Sequence, residues 1–179
     1  MADTIRQCDG LVDVMSYWTF SDVFEEQGVV KDPFYGGFGL IAADNIPKPA
    51  YNVFKLLHSL GDQRLALDSD SALLTRRPDG TFVLAVWNYA PPESEGASRT
   101  MTLQFKNINA NRAFIFRVDL DHGDVHSTYQ QMGSPRYPTM EQIQVLRKAA
   151  ELPEPEIKHT NNALILTMPA KGLAVIELK

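Results

Sequence analysis

The sequence contains one cysteine, Cys8, which excludes an internal disulfide framework and a cysteine-ligated zinc cluster. Cys8 reads as a plain buried thiol near the start of an element. Apolar runs such as Leu173–Ile176 stop far short of the ~20 residues that cross a bilayer. Positive charge is in deficit: 17 Lys and Arg stand against 22 Asp and Glu, a formal net charge of -5. That is the wrong sign for a protein built to follow a phosphate backbone, so nucleic acid is not an expected partner. The first nine residues carry Asp3 and Asp9 where a signal peptide would place a basic and then an apolar run, so the chain as written reads as cytoplasmic. Nucleophile-elbow and phosphate-loop motifs are missing, and the glycines of Gly36–Gly39 lack the strand-to-helix setting of a dinucleotide fingerprint.

What remains is an ordinary globular composition, 44% hydrophobic and 22% charged over 179 residues. Such a chain hides roughly 70% of its extended surface on folding, enough for a sizeable core. Two regions differ in texture. In residues 1–61, Val12, Val14 and Trp18 alternate with Met15 and Tyr17, which predicts a strand from Val12 to Phe20 buried on both faces. After a loop rich in Gly and Pro, Ala50, Val53, Phe54, Leu57 and Leu60 recur at helical spacing, with Gly61 placed as a C-terminal cap. The two together make one βα unit. His58, on that helix, reads as a packing or surface residue.

Residues 62–179 predict short antiparallel strands. The turn Arg77-Pro78-Asp79-Gly80 joins strands at 71–76 and 81–89, and further strands fall at 99–105, 113–118, 163–168 and 173–178. Thr139 and Gln142 form a capping box that opens a single inserted helix carrying Ile143 and Leu146. The expected fold is therefore mainly β, an antiparallel β-sandwich with one inserted helix, preceded by the βα unit.

Two polar clusters are candidate sites. Asp119, Asp121, His122, Asp124 and His126 crowd into eight residues, but without EF-hand order and without a helix to set His122 and His126 as a zinc pair. They read as a hydrogen-bonded loop with no metal, the carboxylates accepting backbone N–H groups or pairing with bases such as Arg117 or Arg136. The second cluster is Trp18, Phe20, Asp22, Glu25 and Glu26, at the C-terminal end of the predicted strand, where α/β folds bind ligands. A ring that covers the C–H face of a sugar beside carboxylates that accept its hydroxyls suits carbohydrate. A core Trp followed by a solvated acidic loop is the plainer alternative.

Longer runs carry a resemblance. Ser16–Glu26 (SYWTFSDVFEE), Pro33–Leu40 (PFYGGFGL), Ile46–Leu57 (IPKPAYNVFKLL), Trp87-Asn88-Tyr89, Arg117-Val118-Asp119 with His122, and Met132–Thr139 with Gln142 and Leu146 are similar to glycoside hydrolase family 39, the β-xylosidases. The resemblance runs in order over nearly the whole chain. It implies the C-terminal portion of a retaining enzyme, in which a (β/α)8 barrel is followed by a β-sandwich and two glutamates carry the chemistry. In the family those glutamates lie on earlier barrel strands, one in an Asn-Glu-Pro-type motif, and no Asn-Glu pair occurs here.

A whole barrel takes about 250 residues. The implied division is therefore 1–61, one βα unit of a truncated barrel, and 62–179, a β-sandwich accessory domain. Catalytic residues and cofactors are not expected in this chain. Trp18, Asp22, Glu25 and Glu26 are carried over as substrate-binding positions, Asp22 chiefly as a residue that orients the loop. The implied substrate is a xylose-containing oligosaccharide bound by the complete enzyme, although the family scaffold also serves other glycosides such as iduronides. A stand-alone carbohydrate-binding or scaffolding sandwich is the alternative function. Since the predicted strand would lack neighbours, residues 1–61 are expected to pack onto the sandwich, to form a homodimer, or to require a missing barrel partner.

Overall fold

The computed structural model describes residues 1–23, 28, 30, 32–108 and 110–179. Among them, no helix is long and apolar enough to cross a membrane. The elements in chain order are α1 (Ala2–Cys8), β1 (Ile41–Ala42), β2 (Ile46–Pro47), α2 (Pro49–Leu57), β3 (Gln63–Leu65), β4 (Ala72–Arg76), β5 (Phe82–Trp87), β6 (Arg99–Gln104), β7 (Arg112–Val118), α3 (His126–Gln131), α4 (Met140–Ala149), β8 (Glu156–His159), β9 (Ala163–Met168) and β10 (Leu173–Leu178).

The fold is mainly β, with antiparallel ladders throughout its sheets. A six-stranded sheet runs in the order β3-β4-β5-β10-β7-β8, and β6 pairs with β9 as a separate two-stranded layer. On one face of the large sheet, Leu84, Val86, Ala174 and Ile176 meet Leu164, Leu166 and Met168 of β9. On the other, Val83, Ala85, Val175 and Leu173 meet Leu56, Val53 and Leu57 of α2. Sequestering each such aliphatic side chain contributes about 1.5–3 kcal/mol. Both faces of β5 and β10 are consequently apolar, a pattern more typical of parallel sheets.

The hairpin before β5 forms as its residues dictate: Gly80 has a φ of 87°, and its N–H donates to the Arg77 carbonyl at 2.9 Å. The capping box of α4 is complete, with Gln142 N–H donating to Thr139 Oγ1 and Thr139 N–H to Gln142 Oε1. Ile143 and Leu146 are buried, with Leu146 packing beside Val125, Tyr129 and Ile46.

Several expectations are corrected. Residues 12–20 form no strand, and their large apolar side chains stand largely exposed. A strand is defined by its ladder, and around this segment, among the described residues, the one bridge joins Ser21 to Ile41 in parallel. Burial on both faces therefore fails for want of neighbours. The inserted region holds two helices, α3 and α4, instead of one. An unforeseen helix, α1, precedes the exposed segment, and Cys8 ends it half-buried. The helix over 49–57 forms, but Phe54 turns away from the sheet to meet the Tyr17 ring edge-on at 5.3 Å. Gly61 is required by close approach and not by a left-handed cap: a Cβ there would run into the Arg76 backbone.

Candidate functional site

The Trp18–Asp22 segment is held by the loop that follows it in sequence. Leu40 and Ile41 N–H groups donate to the Phe20 carbonyl at 3.1 and 3.0 Å, and Asp22 N–H donates to the Ile41 carbonyl at 2.8 Å. Two extended stretches thus run side by side, and the peptide between Trp18 and Thr19 is cis. Trp18 is 65% exposed, and Phe20 and the Phe38 of the neighbouring stretch are equally open.

Asp22 points the other way. It is 1% exposed, its Oδ1 accepts the Gly39 N–H at 2.6 Å, and its Oδ2 lies 2.6 Å from the Lys48 ammonium. The same lysine donates to the Gly37 carbonyl at 2.7 Å, and the Tyr35 hydroxyl donates to the Asp22 carbonyl at 3.1 Å. One oxygen accepts the Gly39 N–H and the other faces the Lys48 ammonium, so Asp22 links its own loop to the 37–39 stretch and to the start of α2. Gly37 and Gly39 are glycines for this reason: a Cβ on either would collide with the Asp22 carboxylate. Glu25 and Glu26 lie outside the described residues.

Lys48 was not anticipated from sequence, although a signal was present. It stands at the N-cap of α2 between Pro47 and Pro49, with no side-chain cap. A cation at the positive end of a helix dipole is misplaced unless a carboxylate faces it, and Asp22 is that carboxylate.

The second cluster lies away from this one in sequence and reaches the same helix. Asp119 Oδ1 accepts the Asp121 N–H at 3.0 Å and lies 2.6 Å from His122 Nδ1. Asp124 Oδ1 accepts the His126 N–H at 2.9 Å, so these carboxylates do serve backbone donors. Arg117 goes elsewhere, to the Thr167 carbonyl and to Glu156. No group of three or more His, Cys, Asp or Glu among the described residues is disposed to hold a metal ion. Buried Asn52 of α2 donates to the Gly123 carbonyl at 3.0 Å and to the Ala150 carbonyl at 2.8 Å. One side chain thereby joins the loop, the end of α4 and the helix that carries Lys48 at its start.

A sequence profile, Glycosyl hydrolases family 39, matches residues 1–164. The chain belongs to this family. It is 39% identical over 140 residues to a beta-xylosidase of Geobacillus stearothermophilus, covering 77% of this chain and 27% of that protein. A beta-xylosidase of Caldicellulosiruptor saccharolyticus is 33% identical over 148 residues, covering 79% and 30%. The crystal structure of a monomeric beta-xylosidase from Caulobacter crescentus CB15 superimposes with a TM-score of 0.85 at 28% identity, over 98% of this chain and 39% of that one. The match is to the C-terminal part of the family 39 enzymes. The chain spans less than a third of the curated relatives it matches.

Proposed function

We propose that this chain is the C-terminal part of a retaining β-xylosidase-like glycoside hydrolase, in which 1–61 supply the last unit of the catalytic barrel and the rest forms the accessory β-rich domain. The observation that carries the reading is the 39% identity with a beta-xylosidase over 140 residues. In this proposal Trp18 is the apolar platform for a xylose ring at the non-reducing end of a xylo-oligosaccharide. Its large exposed ring suits that role, since stacking on C–H faces needs an accessible indole. Asp22, through Lys48 and Gly39, fixes the platform's direction. Glu25 and Glu26, next along the chain, are the proposed acceptors for sugar hydroxyls. Neither catalytic glutamate is assigned to a residue of this chain, so the nucleophile and the acid/base group belong to the remainder of the enzyme.

The test is hydrolysis of an aryl β-xyloside by the isolated chain, with titration calorimetry against xylose and xylobiose. The expected result is no turnover, because loss of a catalytic group costs several orders of magnitude in rate. Turnover that vanishes on Glu25→Gln or Glu26→Gln would overturn the assignment and place the chemistry in the acidic loop. Tight xylobiose binding without turnover would instead identify a stand-alone binding module.

A further inference from the structure

The six-stranded sheet ends at β8, whose outer edge carries no further strand among the described residues. The ladder fixes which of its backbone groups look outward. Thr160 N–H donates to the Asn111 carbonyl at 3.0 Å, and Arg112 to Ile115 stand opposite His159 to Glu156 in turn. Hydrogen-bonded pairs alternate along an antiparallel ladder, so Glu156 and Lys158 bond to β7 while Ile157 and His159 turn their N–H and C=O groups to the free edge. Ile157 shares a face with Phe114, its opposite number on β7, and is 57% exposed. Glu156 and Lys158 lie on the other face, their charged groups 3.1 Å apart and partly in water.

We infer that this edge joins two copies of the chain, β8 pairing antiparallel with β8 of the second copy about a two-fold axis between their Ile157 residues. Three registers bring the outward groups of Ile157 opposite a residue of 155–159, and charge chooses among them. Centring on Glu156 sets two carboxylates opposite each other, and centring on Lys158 sets two ammonium groups so. Like charges directly opposite are destabilising. Centring on Ile157 instead sets each Glu156 opposite Lys158 of the second copy. In that register the two Ile157 residues exchange N–H and C=O bonds, and each His159 N–H meets a Pro155 carbonyl. Pro155 has no N–H to give, so the ladder ends there. Ile157 and Phe114 of both copies form one apolar row across the joined sheets. Lysine on an edge ordinarily discourages pairing, but here a carboxylate stands at the mating position, so the edge repels other strands and accepts its own copy. The existing Glu156–Lys158 contact lies at the surface and contributes little, which leaves both groups free to pair again.

The experiment is sedimentation of the full chain, from micromolar to millimolar concentration, beside three variants whose folding is checked by circular dichroism. Lys158→Glu and Glu156→Lys each set like charges opposite one another and should weaken self-association by about tenfold. Mixed in equal amounts, the two variants again place opposite charges face to face and should associate as tightly as the original chain. Ile157→Pro removes the central outward N–H, which an edge strand tolerates without losing its inner ladder, and should weaken association by a similar factor. Where a charge variant fails to fold, Ile157→Pro decides. A chain that stays monomeric up to about 1 mM overturns the inference. So does a mixture of folded charge variants that does not recover, and so does a dimer that Ile157→Pro leaves intact, which would place the contact elsewhere, as on the exposed 12–20 stretch.

Discussion

Asp22 and Lys48 meet 2.6 Å apart with side chains 0% and 12% exposed, the carboxylate on the loop that carries Trp18 and the ammonium at the start of α2. Removing one partner of such a buried pair leaves an uncompensated charge. Asp22→Ala is expected to destabilise the chain by about 3–5 kcal/mol, measured by urea unfolding. Lys48→Met combined with Asp22→Ala should recover part of that loss. If the double variant is no more stable than Asp22→Ala alone, the stranded charge is not the cause.

Asn52 offers a test of how the helix is attached to the rest. Its amide serves the Gly123 and Ala150 carbonyls from a site 3% exposed. Asn52→Leu would deprive both of their donor, at about 1–3 kcal/mol for each carbonyl left unsatisfied. Thermal unfolding should show a lowered midpoint, and a change near zero would mean that water replaces the amide.

Gly61→Ala probes close approach in isolation. The added methyl meets the Arg76 backbone, so a cost of about 1–3 kcal/mol is expected from forced displacement. A stabilised variant would show that the chain between α2 and β3 has room to spare.

Glu177 makes stability depend on pH. Burial pushes its carboxyl pKa up, but hydrogen bonds and charge from Arg77 and Lys179 outweigh this and hold it below the ordinary glutamate value. A pKa lowered on folding contributes stability that is present above the unfolded value, about 4.3, and is lost as pH falls through the folded one. Unfolding titrations from pH 6 to about pH 3 should therefore show an acid limb that Glu177→Gln flattens. An unchanged limb would assign acid sensitivity to other carboxylates.

The two tryptophans separate by environment. Trp87 is 5% exposed and Trp18 is 65% exposed. In a Trp87→Phe variant the remaining fluorescence should be red-shifted and readily quenched by acrylamide, whereas Trp18→Phe should leave a protected emitter. Equal quenching would mean that the Trp18 face is covered in solution.

Local signals were the ones sequence could disclose. The Arg77–Gly80 turn, the Thr139–Gln142 capping box and the strands 163–168 and 173–178 formed where turn chemistry, capping and hydrophobicity placed them. β3 and β8 escaped notice because Gln63–Leu65 is short and polar, and Glu156–His159 is an edge strand whose apolar Ile157 faces water. α3 shows no apolar period in its six residues, and no side chain of its N-cap residue, Val125, caps its start. The alternation in 12–20 was real, yet alternation describes a side-chain pattern and a strand needs a partner backbone. At the candidate site, the Trp18–Asp22 grouping was visible as chemistry. Its electrostatic anchor was hidden because Lys48 lies 26 positions along the chain from Asp22, a distance that only folding closes.

β10 follows the other described strands in the chain but lies between β5 and β7, pairing six residues with each. During synthesis, therefore, the large sheet exists only as two separate pieces, β3-β4-β5 and β7-β8, until the Leu173–Leu178 stretch leaves the ribosome. Until then Leu84, Val86, Ala113 and Ile115 line an open slot with unpaired edges on either side, the kind of surface that recruits chaperones or wrong partners. A nascent chain stalled before residue 173 should be sticky and protease-sensitive, and the emergence of Leu173–Leu178 should act as the latch that joins the two pieces of the sheet.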